Sequence, residues 1–397
     1  MASRGARAML PWSREIYREI ARVICSGQVL DGNALESLQS LISEALGVRS
    51  VFLCGSGSFA LELSLSACGV QRGDEIVVPT FCCSAIVRPI LALGATPVLA
   101  DVGNELNLTA ETVGAVLTKK TRVVIVPHLF GNPAEIQSIS ELAQNRNLYV
   151  IDDAAQAFGA TIHNQSVGSF GNFGILSFGN EKICPSIGGG ALLYSGNESF
   201  VLKSAVSLNP PCYVPTLRRC FSTLIRNPWG RRLSTVAKLT GSHSDPTALP
   251  SSYRREAMAN VYAAAALTQV KRLTEHIGAR RERVRVYREL LGRKASLELI
   301  PHRLGSACLT QVVRVLPIKR GRDMAAEIVN ALIAEGYVVR GSYVPLHLIP
   351  TLGACVWDRL PYADRIWSDL IELPCEPSLS FDELARIATT VAAVANA

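Results

Sequence analysis

No hydrophobic run in this chain reaches the roughly 18 residues that a membrane span needs, because Gly, Asp, Arg or Pro interrupts each one, as between Ala85 and Val102. A soluble protein is therefore expected. Cysteine is too sparse for a disulfide scaffold, with eleven in 397 residues and no Cys-x-x-Cys pair. Most of these cysteines sit in apolar runs, so buried free thiols in a reducing cytosol are expected. Histidine is scarcer still, six scattered residues with no His-x-x-x-His pair or His/Cys cluster. That argues against a zinc site. The first residues, Met1-Ala2-Ser3-Arg4-Gly5-Ala6-Arg7, lead to Pro11-Trp12-Ser13-Arg14-Glu15 without an apolar segment or cleavage site. They do not read as an export leader, and a cytoplasmic location is expected. Internal repeats and low-complexity tracts are also lacking.

Acidic residues are missing from one stretch. Between Glu198 and Asp245 there is no Asp or Glu, while Arg218, Arg219, Arg226, Arg231 and Arg232 crowd the same segment. A solvated helix face is the plainer reading of such a run. The other is a basic amphipathic helix over Arg218 to Arg232 that touches anionic lipid or a phosphorylated ligand. Nucleic acid is not expected, since no aromatic interleaving or binding motif accompanies the charge.

What is present is an ordinary globular balance, 48% apolar and 18% charged with a net charge of +7. Strand patterns occur at Ser50 to Cys54, Glu75 to Pro79, Pro97 to Asp101, Arg122 to Pro127, Leu148 to Asp152, Gly174 to Phe178 and Gly190 to Ser195. Helical patterns alternate with them at Phe59 to Cys68, Ser84 to Leu93, Ala110 to Leu117 and Ala134 to Ala143. Unbroken apolar runs such as Val123-Val124-Ile125-Val126 belong to strands covered on both faces, and so to a mostly parallel sheet in an α/β protein. Beyond about residue 200 the pattern changes. One long helix is expected from Arg254 to Leu290, then a smaller α+β lobe with Thr310 to Val315, a helix over Asp323 to Glu335 and a strand at Tyr337-Val338-Val339. The expected domains are 1–250, a large domain with the basic insert near 210–250, and 251–397, the linking helix with the small lobe.

Asp152 and Asp153 close an apolar strand, where open α/β sheets bind ligands. Strand alternation sends them to opposite sides, so only one should face a site. One of them could simply cap the next helix. Lys182 follows 29 positions after Asp153, shortly before Gly188-Gly189-Gly190, and is one of only eight lysines. An acid and a lysine at strand ends beside glycines suit a pyridoxal cofactor. A carboxylate keeps the pyridine nitrogen protonated, and a lysine amine joins the aldehyde. Gly55-Ser56-Gly57-Ser58, between a strand and a helix expected to begin at Phe59, suits a phosphate. Read alone it is equally a tight turn with Ser58 as N-cap.

From about Ser13 to Leu384 the chain resembles the DegT/DnrJ/EryC1/StrS sugar aminotransferase family. The resemblance rests on Val29-Leu30-Asp31-Gly32-Asn33, Gly57-Ser58-Phe59-Ala60-Leu61, Gly73 to Thr80, Gly94 to Val98 and His128-Leu129-Phe130-Gly131. It continues through Asp153-Ala154-Ala155-Gln156-Ala157, Gly168 to Gly171, Ser177-Phe178 with Lys182, Gly189-Gly190, Tyr343 to His347 and Glu372 to Pro374. The resemblance implies the fold type I of pyridoxal-phosphate (PLP) transferases, with a mostly parallel seven-stranded sheet and a smaller C-terminal α+β domain. It implies a homodimer that moves an amino group from glutamate or glutamine to a keto-sugar, nucleotide-linked or a related cyclitol.

By the same resemblance, Lys182 is the Schiff-base lysine and proton carrier, and Asp153 is the partner of the pyridine nitrogen. Gln156 is placed at the ring's phenolic oxygen, and Gly57, Ser58, the Phe59 backbone and Ser177 at the phosphate. Three positions depart from the family pattern. Cys83 stands where an aromatic residue usually stacks on the ring. Arg255 replaces the asparagine that reaches the neighbouring subunit's phosphate, and Gly188 replaces an acid. A PLP-dependent sugar dehydratase and a catalytically silent relative with a binding or regulatory role are the alternatives. The dehydratases typically carry histidine where this chain has Lys182.

Overall fold

The protein was analysed as a computed structural model, which describes residues 12–194, 208–226, 253–316 and 323–396. Two layers of helices enclose a seven-stranded sheet. Its strands are β1 (Ser50–Cys54), β2 (Glu75–Pro79), β3 (Thr96–Ala100), β4 (Thr121–Pro127), β5 (Tyr149–Asp153), β8 (Phe173–Ser177) and β9 (Gly190–Tyr194), with a short hairpin β6 (Thr161–Ile162) and β7 (Gln165–Ser166) beside them. The order across the sheet is β1-β9-β8-β5-β4-β2-β3. Only β9 runs against its neighbours. The Val- and Ile-rich strands are buried on both faces, as the unbroken apolar runs require.

A second, antiparallel sheet has the order β10-β11-β13-β12, formed by β10 (Leu297–Leu299), β11 (Thr310–Val315), β12 (Arg340–Gly341) and β13 (Leu370–Pro374). The helices Met324–Ala334 and Phe381–Ala395 cover it, and its core includes Val313, Ile328, Leu373 and Leu384. Ser380 and Glu383 form a reciprocal capping box at the start of the last helix.

The expected single helix over Arg254 to Leu290 is instead two, Asn260–Val270 and Leu273–Leu291. The residues before Asn260 are extended because they pair with the end of β1. The Gly55 N–H donates to the Glu256 carbonyl at 2.8 Å, and Cys54 bridges Ala257. Arg272, at φ −109° and ψ 16°, breaks the remainder. The strand expected at Tyr337 to Val339 lies at Arg340–Gly341 instead, because Tyr337 and Val339 are buried in the core of the small sheet. In the basic segment a helix forms over Tyr213–Arg226, with Thr216, Cys220 and Thr223 buried. The remainder of the Arg218 to Arg232 reading, including Arg231 and Arg232, lies outside the described residues.

All eleven cysteines are free thiols, eight of them buried. No helix among the described residues is long and apolar enough to cross a membrane. No group of side chains among the described residues could hold a metal.

Asn260 fixes the Val29 to Asn33 segment. Its side chain donates to the Gln28 carbonyl at 2.7 Å and accepts from the Ala34 N–H at 3.1 Å, and only 2% of the residue is exposed. Gly32 lies so close that a Cβ there would stand 2.6 Å from Asn260 Nδ2. Asn260→Ala leaves both backbone groups unpaired and is expected to cost about 2–4 kcal/mol, read by urea unfolding. A loss under about 0.5 kcal/mol, the scale of a surface substitution, overturns this role.

Candidate active site

The C-terminal ends of β4, β5 and β8, with the turns after β1 and before β9, surround a cavity of about 310 Å³, a volume typical of small-molecule sites. Asp152 and Asp153 diverge as strand alternation requires. Asp152 turns into the protein and accepts hydrogen bonds from His128 Nε2 at 2.6 Å, Gly168 N at 2.7 Å and Phe170 N at 2.9 Å. The Ala134 N–H donates to His128 Nδ1 at 2.8 Å, so His128 carries its proton on Nε2 and donates to Asp152. Asp153 faces the cavity, where it accepts from the Ala155 N–H at 3.0 Å. Burial pushes its carboxyl up, against the pull of that N–H and of the Lys182 charge.

Lys182 is half-buried on the turn between β8 and β9 and lines the cavity with Gly179 and Gly188. The Gln156 side chain has a fixed orientation. Its Oε1 accepts from the Phe130 N–H at 3.1 Å, and its Nε2 donates to Tyr343 Oη at 3.1 Å. A flipped amide would set two donors against each other, so the second Nε2–H stays free at the cavity wall.

The helix Gly57–Ala67 begins two residues before the expected Phe59, with Ser56, not Ser58, as its N-cap. This leaves the Ser58 hydroxyl uncommitted on the cavity wall beside Gly57 and Ser177. Three segments meet here at glycines. A Cβ on Gly57 would lie 2.9 Å from Ser177 Cβ, and one on Gly190 would lie 2.4 Å from Gly57 N.

The small sheet reaches the same region. Arg340 pairs with Glu181, next to Lys182, at 3.0 Å and with buried Glu372 at 3.2 Å, and its guanidinium lies 5.8 Å over the Tyr343 ring.

A model of the DegT/DnrJ/EryC1/StrS aminotransferase family matches residues 12–392. The chain belongs to this family. It is 28% identical over 362 residues to the GDP-perosamine synthase of Caulobacter vibrioides, covering 90% of this chain and 88% of that one. Its fold superposes on the aminotransferase TlmJ from Streptoalloteichus hindustanus with a TM-score of 0.78 at 24% identity, covering 96% of each chain. It also superposes on the Escherichia coli GDP-4-keto-6-deoxy-D-mannose-3-dehydratase with bound hydrated PLP, with a TM-score of 0.79 at 19% identity over 98% of this chain and all of that one. Membership makes the chain a pyridoxal-phosphate-dependent aminotransferase in class.

Of the expected site residues, the cavity gathers Gly57, Ser58, Cys83, Asp153, Gln156, Ser177 and Lys182. Phe59 is not among the lining residues. Its side chain is buried and its N–H donates to Ser56 Oγ at 3.2 Å. Arg255 does not line this cavity either. It turns to Glu62, at 2.8 Å, and lies 5.1 Å over the Tyr253 ring. Arg254 lines the cavity instead. Phe81 is fully buried in a cluster with Phe130 and Tyr343, with ring centroids 6.3 and 6.0 Å away, so it does not replace the aromatic residue missing at Cys83.

Sequence reasoning missed Arg254, the His128–Asp152 pair and the Tyr343 contact to Gln156. Only Gly188, an unexplained loss of an acid, gave a signal for the first. The residues present fit pyridoxal phosphate. A carboxylate with no ion pair among the described residues faces the cavity from β5, and hydroxyls, glycine backbone and an amine line the same cavity.

Because Asp153 titrates above its ordinary range when buried, it adds stability at low pH that is lost as pH rises through the raised folded value. Asp153→Asn removes that loss. The apoprotein variant is expected to match wild type below the ordinary carboxylate range and to exceed it near neutral pH, read as melting temperature against pH. A constant offset across that range overturns the assignment.

Proposed function

We propose that this aminotransferase moves an amino group from glutamate or glutamine to the keto carbon of a nucleotide-linked sugar or related cyclitol. The observation that carries the reading is Lys182 in one cavity with Asp153 and Gln156. The similarity to a GDP-perosamine synthase supports a nucleotide-linked acceptor. Lysine rather than histidine at this position favours amino transfer over dehydration.

Pyridoxal phosphate, when bound, supplies an electron sink and a carrier for the amino group. Asp153 would hold the proton on the pyridine nitrogen, a task suited to a carboxylate facing a cation in a dry site. Gln156, its amide locked by Phe130 and Tyr343, would direct its free Nε2–H at the ring oxygen. Ser58, Ser177 and the first N–H groups of the helix Gly57–Ala67 would take the phosphate. Cys83 would leave one ring face against a small side chain. Lys182 would hold the cofactor covalently. When free, its amine would carry the proton at the reacting substrate carbon, as general base and then general acid. A homodimer is part of the proposal, with Arg255, steadied by Glu62, reaching toward the partner's site.

Borohydride reduction after incubation with pyridoxal phosphate is expected to fix the cofactor to the peptide containing Lys182, located by mass spectrometry. Lys182→Ala lacks that adduct and loses about 10²–10⁴-fold in glutamate-dependent 2-oxoglutarate release. Wild type that takes up no cofactor, or a variant with the wild-type rate, sinks the reading.

A further inference from the structure

Arg254 stands out among the cavity's lining residues. Its side chain is only 17% exposed, and its nearest carboxylate, Glu256, is 4.0 Å away. Its buried Nη1 has no hydrogen-bond partner among the described residues. A buried guanidinium without its full set of acceptors is costly, so this one is placed for an acceptor that arrives from outside the chain. The group is held in place from several sides. The guanidinium lies 5.0 Å over the Tyr262 ring, and the Arg254 carbonyl accepts from Ser56 Oγ at 3.3 Å.

Two glycines make room for it. A Cβ on Gly188 would stand 1.9 Å from Arg254 Nη2, and one on Gly55 would stand 3.0 Å from Arg254 Cβ. Any side chain at position 188 would displace the guanidinium. Arg219, from the helix Tyr213–Arg226, repels Arg254 and adds to burial in pulling its pKa down.

The position selects the kind of anion. Ser56 bridges Gly189, which brings the glycine run against the start of the helix Gly57–Ala67. Arg254, Ser58 and Ser177 therefore share the β1–β9–β8 side of the cavity, while Asp153 stands on β5. A dianion with several acceptor oxygens matches a guanidinium beside hydroxyls and free N–H groups.

We propose that Arg254 holds the phosphate group of the cofactor from within the same chain, and that Gly188 lacks a side chain so that the guanidinium can reach it. The assignment rests on the pyridoxal-phosphate reading above. It locates the phosphate's main cation in the chain's own segment after the basic helix, rather than at Arg255.

Equilibrium binding of pyridoxal phosphate and of pyridoxal, which lacks the phosphate, separates this role from a structural one. In Arg254→Met, affinity for pyridoxal phosphate is expected to fall about 10- to 100-fold, while affinity for pyridoxal stays within about twofold of wild type. Arg254→Lys keeps the charge but loses the planar fork, and is expected to fall between the two on the phosphorylated ligand only. It carries the comparison if Arg254→Met does not fold. Equal losses for both ligands mean that Arg254 only supports the structure, and unchanged affinities mean that it reads neither. Either result overturns the proposal while leaving the aminotransferase reading intact. A loss confined to the donor or the sugar nucleotide assigns the arginine to a substrate anion and overturns it too. Wild type that binds no pyridoxal phosphate sinks both readings.

Discussion

One carboxylate that never touches the cavity holds most of it in position. Asp152 gathers His128 from the exit of β4 and two backbone N–H groups from the turn before β8. The His128 N–H in turn donates to the Asp153 carbonyl at 3.1 Å. Three segments far apart in sequence are thereby tied to the end of β5, and Asp153 inherits its direction from that knot. Every acceptor in it is buried and matched, the condition under which a polar network rigidifies rather than weakens a core. His128 to Gly131, Gly168 to Gly171 and Asp153 to Ala157 look like separate motifs in the sequence. In the fold they are one hydrogen-bonded unit.

On the other side of the cavity the organising constraint is the lack of side chains. Gly57, Gly188 and Gly190 let the start of a helix, the end of β8 and the turn into β9 approach closely enough to expose backbone donors. That closeness concentrates positive character, with the helix N-terminus, Lys182 and Arg254 all lining the cavity. The carboxylate side and the cation side are separated by the breadth of adjacent strands. A flat ligand with a cationic ring nitrogen at one end and an anion at the other matches that polarity.

The large sheet is legible in the sequence to within a residue or so, because strands buried on both faces leave unbroken Val and Ile runs between Gly, Pro and Asp. Asp153 and Lys182 are legible for the same reason, since both close or follow such runs. Residues 253–259 are not. Their composition is helical, and only pairing with Gly55, some 200 positions earlier, makes them extended. The conformation that puts Arg254 in the cavity is thus set by a long-range contact, which the family resemblance that pointed to Arg255 does not carry. The helices Arg14–Cys25 and Ala34–Leu46 escape sequence reading too, because they acquire their role by packing on Asn260–Val270. The N-cap lies at Ser56 rather than Ser58, a two-residue distinction that composition does not carry.

Arg340 gives the small sheet a hold on the turn that carries the amine. It is bound to Glu372 within its own sheet and to Glu181 across the boundary, and the second pair joins residues 159 positions apart. The small sheet thus shares a charge with the neighbour of Lys182, so side-chain exchanges near β12 and β13 also act on the turn between β8 and β9. A library of variants built on the small sheet therefore also samples the setting of Lys182.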